Sequence, residues 1–255
     1  MAHYNYISLY LLFLSYLRFV PEVESFTPMG RTAHSSVVAD NKLFFFGGVL
    51  DNRKYSNEVF YLDLSQSFNM SAPSWNDLTL NTGIPFKHGW GTTSFSDINN
   101  EKIIYLYGGA AVDTITNEFI TMQNVNALNL NSLTWGIPTV KGNPPEIIRQ
   151  EIRSVTDNTG KMYIFGGSAD YTVGLPTIQF FSDMVIFNIA ELSWSINSSP
   201  VMSRAAYSAT LLSNGNIVYI GGYRRGGQLD ISQIDVYDTN SLTWSSKVCI
   251  LLQIF

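Results

Sequence analysis

Residues 42–48, with the sequence KLFFFGG, form an apolar and aromatic run that ends on two glycines. The same pattern returns as KIIYLYGG at 102–109, KMYIFGG at 161–167 and NIVYIGG at 216–222. The glycine pairs are Gly47-Gly48, Gly108-Gly109, Gly166-Gly167 and Gly221-Gly222. Their first members are 61, 58 and 55 residues apart. A motif that recurs at such a period predicts a repeat protein.

Two further landmarks accompany each glycine pair. A tryptophan follows it, at Trp75, Trp135, Trp194 and Trp244. Before it, a basic or polar residue is followed after two spacers by a bulky and then a small residue. The four instances are Arg31-x-x-His34-Ser35, Lys87-x-x-Trp90-Gly91, Gln150-x-x-Arg153-Ser154 and Arg204-x-x-Tyr207-Ser208. Because these registers agree with one another, we interpret the chain as four units of one structure.

Each unit is predicted to contain four short strands. In the third unit we place them at about 153–157, 161–167, 183–189 and 193–197. The second strand shows little polar alternation, which is typical of a strand buried on both faces. The glycines at its end allow a sharp turn where neighbouring strands crowd together. Four-stranded units at this period predict an all-β fold, a β-propeller with four recognisable blades.

The glycine pairs preceded by apolar runs, together with the later tryptophans, resemble the kelch repeat. The resemblance covers residues 31–246, and it implies radially arranged blades whose ligands are met by loops at one rim. The blades are expected at about 31–80, 87–140, 149–198 and 204–246, inside a propeller domain at 26–246. Kelch propellers generally have five to seven blades, so the four units are interpreted either as a complete ring or, more readily, as an incomplete one. Residues 247–255 form an apolar tail.

The first 25 residues contain an apolar stretch at 7–17, which has the length of a signal-peptide core and is too short to span a membrane. A cleaved signal peptide, an uncleaved hydrophobic anchor and a buried strand remain as alternatives, and membrane attachment is expected only for the anchor. The leader and the repeats together resemble secreted or membrane-associated kelch proteins of the galactose-oxidase-like type. Secretion or cell-surface display is therefore expected, with Asn69 and Asn197 as candidate glycosylation acceptors.

Composition excludes some classes of function. Charged residues make up 14% of the chain and the net charge is −5, without a Lys/Arg block. A nucleic-acid-binding surface needs a basic stripe, so no nucleic-acid partner is expected. A single cysteine, Cys249, excludes an internal disulfide framework and a zinc site built from cysteines.

No enzymatic activity and no cofactor or metal are predicted. The alternative is a partial or degenerate relative of galactose-oxidase-like copper carbohydrate oxidases, a family in which two histidines and two tyrosines hold copper. Of the three histidines, His3 lies in the leader, His34 occupies a repeated structural position, and His88 is expected at the rim. No ligand of the family therefore transfers to this chain, and the catalytic motifs of proteases, phosphate-binding loops and serine hydrolases are missing as well.

Binding is expected in the loops between the second and third strands, at 49–56, 110–121, 168–181 and 223–230. Such loops vary in length while the scaffold fixes their ends. Aromatic and arginine side chains are frequent anchors of protein interfaces. The candidate binding residues are Tyr171, Phe180, Phe181, Arg224 and Arg225. Two simpler alternatives are that the phenylalanines pack under their loop and that the arginines are only solvated. The sequence thus predicts a non-enzymatic scaffold for a protein or glycan partner.

Overall fold

The computed structural model of the protein describes residues 26–65, 67–98 and 100–248. The predicted leader at 1–25, Cys249 and most of the apolar tail lie outside the described residues. Within these ranges no helix is long and apolar enough to cross a membrane. Short antiparallel strands dominate the described chain, which confirms the predicted all-β class.

The first two units hold thirteen strands and one helical turn in the described part of the chain. In the first unit these are β1 (Arg31–Thr32), β2 (Ser35–Ala39), β3 (Lys42–Phe46), β4 (Val49–Leu50), β5 (Val59–Asp63), β6 (Trp75–Asp77) and α1 (Thr79–Thr82). In the second they are β7 (Lys87–Gly89), β8 (Thr92–Ile98), β9 (Glu101–Tyr107), β10 (Ala110–Val112), β11 (Phe119–Ile120), β12 (Asn126–Asn129) and β13 (Thr134–Gly136).

The third and fourth units follow the same plan. The third contains β14 (Ser154–Thr156), β15 (Lys161–Phe165), β16 (Ser168–Ala169), a 3-10 helix (Tyr171–Val173), β17 (Gln179–Phe180), β18 (Met184–Asn188) and β19 (Ser193–Asn197). The fourth contains β20 (Ser208–Leu211), β21 (Asn216–Ile220), β22 (Tyr223–Arg224), β23 (Gly227–Gln228), β24 (Gln233–Asp238) and β25 (Thr243–Val248).

Four of the sheets have four strands each, and they form the four predicted blades. The strand orders are β2-β3-β5-β6, β8-β9-β12-β13, β14-β15-β18-β19 and β20-β21-β24-β25. Tight turns join the first two strands of each blade, because residues that tolerate a positive φ stand there. In blade 1 these are Asp40 and Asn41, with φ of 49° and 56°, and in blade 3 it is Gly160, with φ of 81°. The inner strands β2, β8, β14 and β20 contact one another in sequence.

Apolar clusters fill the three spaces between successive blades. A tryptophan of the later blade packs on the last residue of the earlier blade's second strand. The ring centroids of these pairs are 6.1 Å apart for Phe46–Trp135, 4.9 Å for Tyr107–Trp194 and 4.6 Å for Phe165–Trp244. Among the described residues no such cluster joins blade 4 to blade 1. Trp75 instead packs within blade 1, against Phe45 and Phe60.

Burial of the second strands follows from this arrangement. In β15 of blade 3, four successive residues are buried, as predicted for a strand covered on both faces. In β21 of blade 4, buried and half-buried residues alternate instead. The prediction of two buried faces is therefore correct for the inner blades. In β21, which has a neighbouring blade on just one face, the burial follows the two-residue period of a half-buried strand.

A chain of backbone hydrogen bonds joins the four blades just before their inner strands. The N–H of Trp90 donates to the carbonyl oxygen of Ala33, Glu151 donates to Trp90, and Ala206 donates to Glu151, each at 2.8 Å. All four residues have a positive φ, between 51° and 68°. Non-glycine residues adopt this conformation at a cost in energy, and the repeated hydrogen bond offsets that cost.

Candidate functional site

The loops between the second and third strands of the blades meet on one rim of the molecule. Just beyond each glycine pair, a short stretch of chain pairs with the segment that enters its own blade, as Ser168 does with Gln150 and Tyr223 with Ala205. In blades 1 to 3 the second glycine of the pair also bonds to the next blade. These bonds run from the N–H groups of Gly48, Gly109 and Gly167 to the carbonyl oxygens of His88, Arg149 and Arg204, at 2.7, 2.7 and 2.9 Å.

A buried polar side chain holds each glycine turn. In blades 1, 3 and 4, an arginine donates through Nη1 to the carbonyl oxygen of the first glycine: Arg31 to Gly47 at 2.9 Å, Arg149 to Gly166 at 3.2 Å and Arg204 to Gly221 at 2.7 Å. Each arginine also pairs with a carboxylate, namely Glu58, Asp183 or Asp235. The Arg204–Asp235 pair is the most buried, with side-chain exposures of 1% and 4%.

Blade 2 uses an uncharged residue at the same place. The Nε2–H of His88 donates to the carbonyl oxygen of Gly108 at 2.7 Å, and the side chain is fully buried. Burial lowers the pKa of His88 to about 4, although the hydrogen bond to Gly108 opposes this shift. The strand register places Asn126 where blade 4 has Asp235. The cation and its carboxylate are therefore replaced together, so in the described structure no buried charge supports the glycine turn of blade 2.

This geometry corrects the third sequence landmark. The residues equivalent to Arg31 are His88, Arg149 and Arg204, whereas the sequence pattern aligned Lys87 and Gln150 with it. The predicted register is thus wrong by one residue in blades 2 and 3. His88 is also buried beneath the rim rather than displayed on it. In blade 2 the error arose because histidine replaces arginine, which removed the charge that marks this position. In blade 3 Arg149 keeps the charge, but the small residue of the pattern, Ser154, lies one position later in its strand than Ser35 and Ser208 do in theirs.

Three aromatic side chains from consecutive blades form a row along the rim, which we call the aromatic row. Tyr55 of blade 1 meets Phe119 of blade 2 edge to face, with ring centroids 5.9 Å apart. Phe119 meets Tyr171 of blade 3 in the same way at 6.1 Å. Phe119 and Tyr171 are 43% and 72% exposed, respectively. Exposed aromatic rings held by a rigid scaffold are typical of protein-binding surfaces.

The structure separates the two predicted phenylalanines from Tyr171. Phe180 packs edge to face on Tyr223 of blade 4, with ring centroids 5.5 Å apart. Phe181 packs under its loop on a small cluster around Ile148, and the guanidinium carbon of Arg149 lies 4.3 Å from its ring centroid. The contacts of Phe181 favour the simpler alternative, packing beneath the loop, whereas Phe180 is half-buried against the neighbouring loop of blade 4.

Arg224 and Arg225 line a shallow groove with Met202 and Gln228 in the fourth loop. Arg225 is exposed and Arg224 is half-buried. In the described residues neither has an ion pair. The two arginines and Tyr171 stay predicted contact residues, on different loops of one rim.

Sequence reasoning did not select Tyr55 and Phe119, although it placed both in predicted binding loops. The criterion that selected Tyr171, an aromatic residue in such a loop, applies equally to them. What the sequence does not contain is the lateral approach of the loops, which brings three separated aromatic residues into one row.

The described residues do not fit the copper site of the oxidase alternative. No group of three or more histidine, cysteine, aspartate or glutamate side chains in these ranges is placed to hold a metal. Of the two described histidines, His88 is buried and bonded to Gly108, and His34 is half-buried beside Phe45, with ring centroids 5.6 Å apart.

The two candidate glycosylation acceptors lie in different surroundings. Asn69 is exposed, and its side-chain oxygen accepts the N–H of Ser71 at 2.9 Å. Asn197 is half-buried at the end of β19. Both stay predictions, and the exposed Asn69 is the more accessible acceptor.

Repeated four-stranded blades with a glycine-lined rim define a β-propeller built from sequence repeats. The family model described as the KLHDC2/KLHL20/DRC7 Kelch-repeats domain matches residues 7–195 and, in a second alignment, 66–251. The chain therefore belongs to the kelch-repeat family, as the sequence motifs predicted.

Two curated relatives and one solved structure show how similar this chain is to known proteins. The chain is 23% identical over 223 residues to kelch domain-containing protein 3 of Rattus norvegicus, covering 85% of this chain and 54% of the relative. It is 28% identical over 221 residues to host cell factor 1 of Homo sapiens, covering 80% and 10%. The chain thus spans about half of the first relative and a tenth of the second. The structure of YjhT superimposes with a TM-score of 0.67 at 15% identity, covering 89% of this chain and 68% of that one, which shows the shared fold.

Proposed function

We propose that this protein is a non-enzymatic binding scaffold that presents the loops of its rim to a protein partner. The observation that carries the proposal is the aromatic row of Tyr55, Phe119 and Tyr171. Apolar rings exposed side by side are unfavourable in water, and a partner that covers them gains free energy from their burial. Because the glycine turns and their buried polar side chains fix the ends of the loops, little ordering entropy is lost on binding.

A photo-reactive benzoylphenylalanine at position 171 tests this proposal. We expect adducts of defined mass with a partner in cells. The matched control carries the same group at Leu212, which is 44% exposed in a turn at the opposite end of blade 4. With the partner isolated, Phe119→Ala and Tyr171→Ala should each weaken binding about tenfold, as loss of an interface anchor does. Equal adducts at both positions, or unchanged affinity, would contradict the proposal.

We also propose that the scaffold acts in the secretory pathway or at the cell surface, where a glycan is an alternative partner. The signal-like stretch at 7–17 and the candidate acceptor Asn69 support this location. Expression of the complete chain in a eukaryotic host should deliver a glycosylated protein to the medium, lacking its first 20–30 residues by intact mass, as a roughly 25-residue signal would imply. Retention of an unmodified protein in the cytosol would contradict the location and leave the binding proposal intact.

A further inference from the structure

We propose that a groove between the first two rim loops binds an extended acidic peptide that carries an aromatic or aliphatic side chain. This inference rests on the proposed scaffold function and names the partner's chemistry. The groove has a volume of about 630 Å³. We call it the basic groove, and its lining residues are Arg53, Lys54, Tyr55, Lys87, Val112, Asn117 and Phe119.

The side chains that line the groove include three cations and no carboxylate. Arg53 and Lys54 are exposed, and neither forms an ion pair within the described ranges. Lys87 donates to the neutral side-chain oxygen of Asn117. The nearby acid Asp113 accepts the backbone N–H groups of Thr116 and Ile115, both at 2.8 Å, and these bonds together with the charge of Lys87 lower its pKa. Asp113 therefore offsets part of the charge of Lys87, whereas Arg53 and Lys54 keep theirs. Three cations in a chain of net charge −5 form a local exception, and they attract an anionic partner.

The same groove also offers apolar surface. Tyr55 is half-buried, Val112 is buried, and the exposed ring of Phe119 stands edge to face against Tyr55. A purely ionic ligand such as free phosphate would leave these rings uncovered. A ligand that places an apolar side chain between carboxylates would cover the rings and neutralise the cations at the same time.

The adjoining strand favours a peptide over an anionic saccharide. β11 is the outer strand of the rim sheet ordered β11-β10-β7, and both of its residues are exposed. An outer strand has backbone donors and acceptors that its own sheet does not pair, and an extended peptide can pair with them. A saccharide has no matching row of amide groups.

Selection from a phage-displayed library of random peptides tests the inference on the complete protein. We expect the selected sequences to be rich in aspartate and glutamate around an aromatic or aliphatic residue. Selection in parallel on the variant Arg53→Gln/Lys54→Gln/Lys87→Gln should lose this enrichment. The consensus peptide, with its termini blocked and a fluorescent label, should bind the variant about tenfold more weakly in anisotropy titrations, because several charge contacts are removed at once.

Two controls separate this site from general electrostatics and from Tyr171, the member of the aromatic row that does not line the groove. Lys141→Gln/Lys161→Gln/Lys247→Gln removes the same number of charges away from the groove and should leave the consensus peptide's affinity within about twofold, since distant exposed charges are screened by salt. Tyr171→Ala tests the scaffold proposal while leaving the groove residues in place. Selected peptides without acidic enrichment, equal losses in both triple variants, or a heparin fragment that binds the groove while no peptide does, would overturn the inference.

Discussion

The glycine turns of blades 3 and 4 have the same sequence and backbone but different neighbours. Gly166 and Gly221 have φ of 60° and 68°. A Cβ atom on Gly166 would lie 2.6 Å from the carbonyl oxygen of Arg204 in the next blade, whereas on Gly221 it would have nothing within 4 Å among the described residues. Likewise, Gly167 donates its N–H to Arg204, and no such bond from Gly222 joins it to another blade in those ranges.

This difference separates two reasons why the glycine pair repeats in all four blades. Glycine supplies the positive φ in every blade. In blades 1 to 3 it additionally leaves room for the backbone of the following blade. In blade 4 the glycine is therefore required only for the positive φ of the turn. In the other blades it is also required because a side chain would collide with the next blade.

The largest expected effect concerns the buried histidine of blade 2. The folded-state pKa of His88 is lowered from 6.5 to about 4, because the ring is fully buried beside the glycine turn of its own blade. The unfolded chain therefore binds this proton first, and stability that is complete above pH 6.5 is lost as the pH falls toward 4. The shift corresponds to about 3 kcal/mol of unfolding free energy.

Urea denaturation at several pH values checks this expectation. The variant His88→Gln should show a shallower loss of stability between neutral pH and about pH 4 than the original chain. His34→Gln is the matched control, since His34 is only half-buried. Its pKa is also lowered, first by burial and then by the charges of Arg31 and Arg153. Identical pH profiles for the His88 variant and the original chain would contradict the buried neutral histidine.

Alanine at the two glycine turns is expected to have a similar effect in blade 3 and a smaller effect in blade 4. Gly221→Ala should cost about 1 kcal/mol, the usual penalty of a left-handed conformation for a residue with a side chain. Gly166→Ala should cost about 3 kcal/mol, because the added carbon also collides with the backbone oxygens of Arg204 and Phe181, at 2.6 and 2.9 Å.

Unfolding midpoints of both variants in the same denaturant measure the difference directly. Gly108→Ala should lower the unfolding midpoint about as much as Gly166→Ala, since its Cβ would lie 2.4 Å from the backbone oxygen of Arg149. If Gly221→Ala were as destabilising as the other two, blade 4 would be covered by a neighbour in solution. The contrast between covered and free turns would then disappear.

The blades could be predicted from sequence because each carries strong local signals. An apolar run that ends in two glycines fixes the second strand, and the later tryptophan fixes the fourth. The Trp135–Phe46, Trp194–Tyr107 and Trp244–Phe165 contacts explain why these positions repeat. Such signals depend only on neighbours in the chain and on a contact that blades 2 to 4 share, whereas Trp75 packs within blade 1.

The candidate site could be predicted only in part. The loops were identified from their position, and Tyr171 from its type. The basic groove and the aromatic row combine residues of different blades, such as Arg53 with Lys87 and Tyr55 with Phe119, more than 30 residues apart in sequence. His88 was misplaced because a neutral residue took over the role of a charged one. The row and the groove join different blades, and His88 bonds to Gly108 of its own blade, 20 residues away. Both depend on tertiary contacts of individual side chains, which no local pattern specifies.

The chain of backbone bonds from Ala33 through Trp90 and Glu151 to Ala206 makes the four blades a linear array in the described structure. In a linear array each unit interacts only with its nearest neighbours, so an end unit is held by one interface and an inner unit by two. Blades 1 and 4 should therefore open more often than blades 2 and 3. The amide hydrogens of β20 and β21 accordingly exchange with solvent before those of β14 and β15.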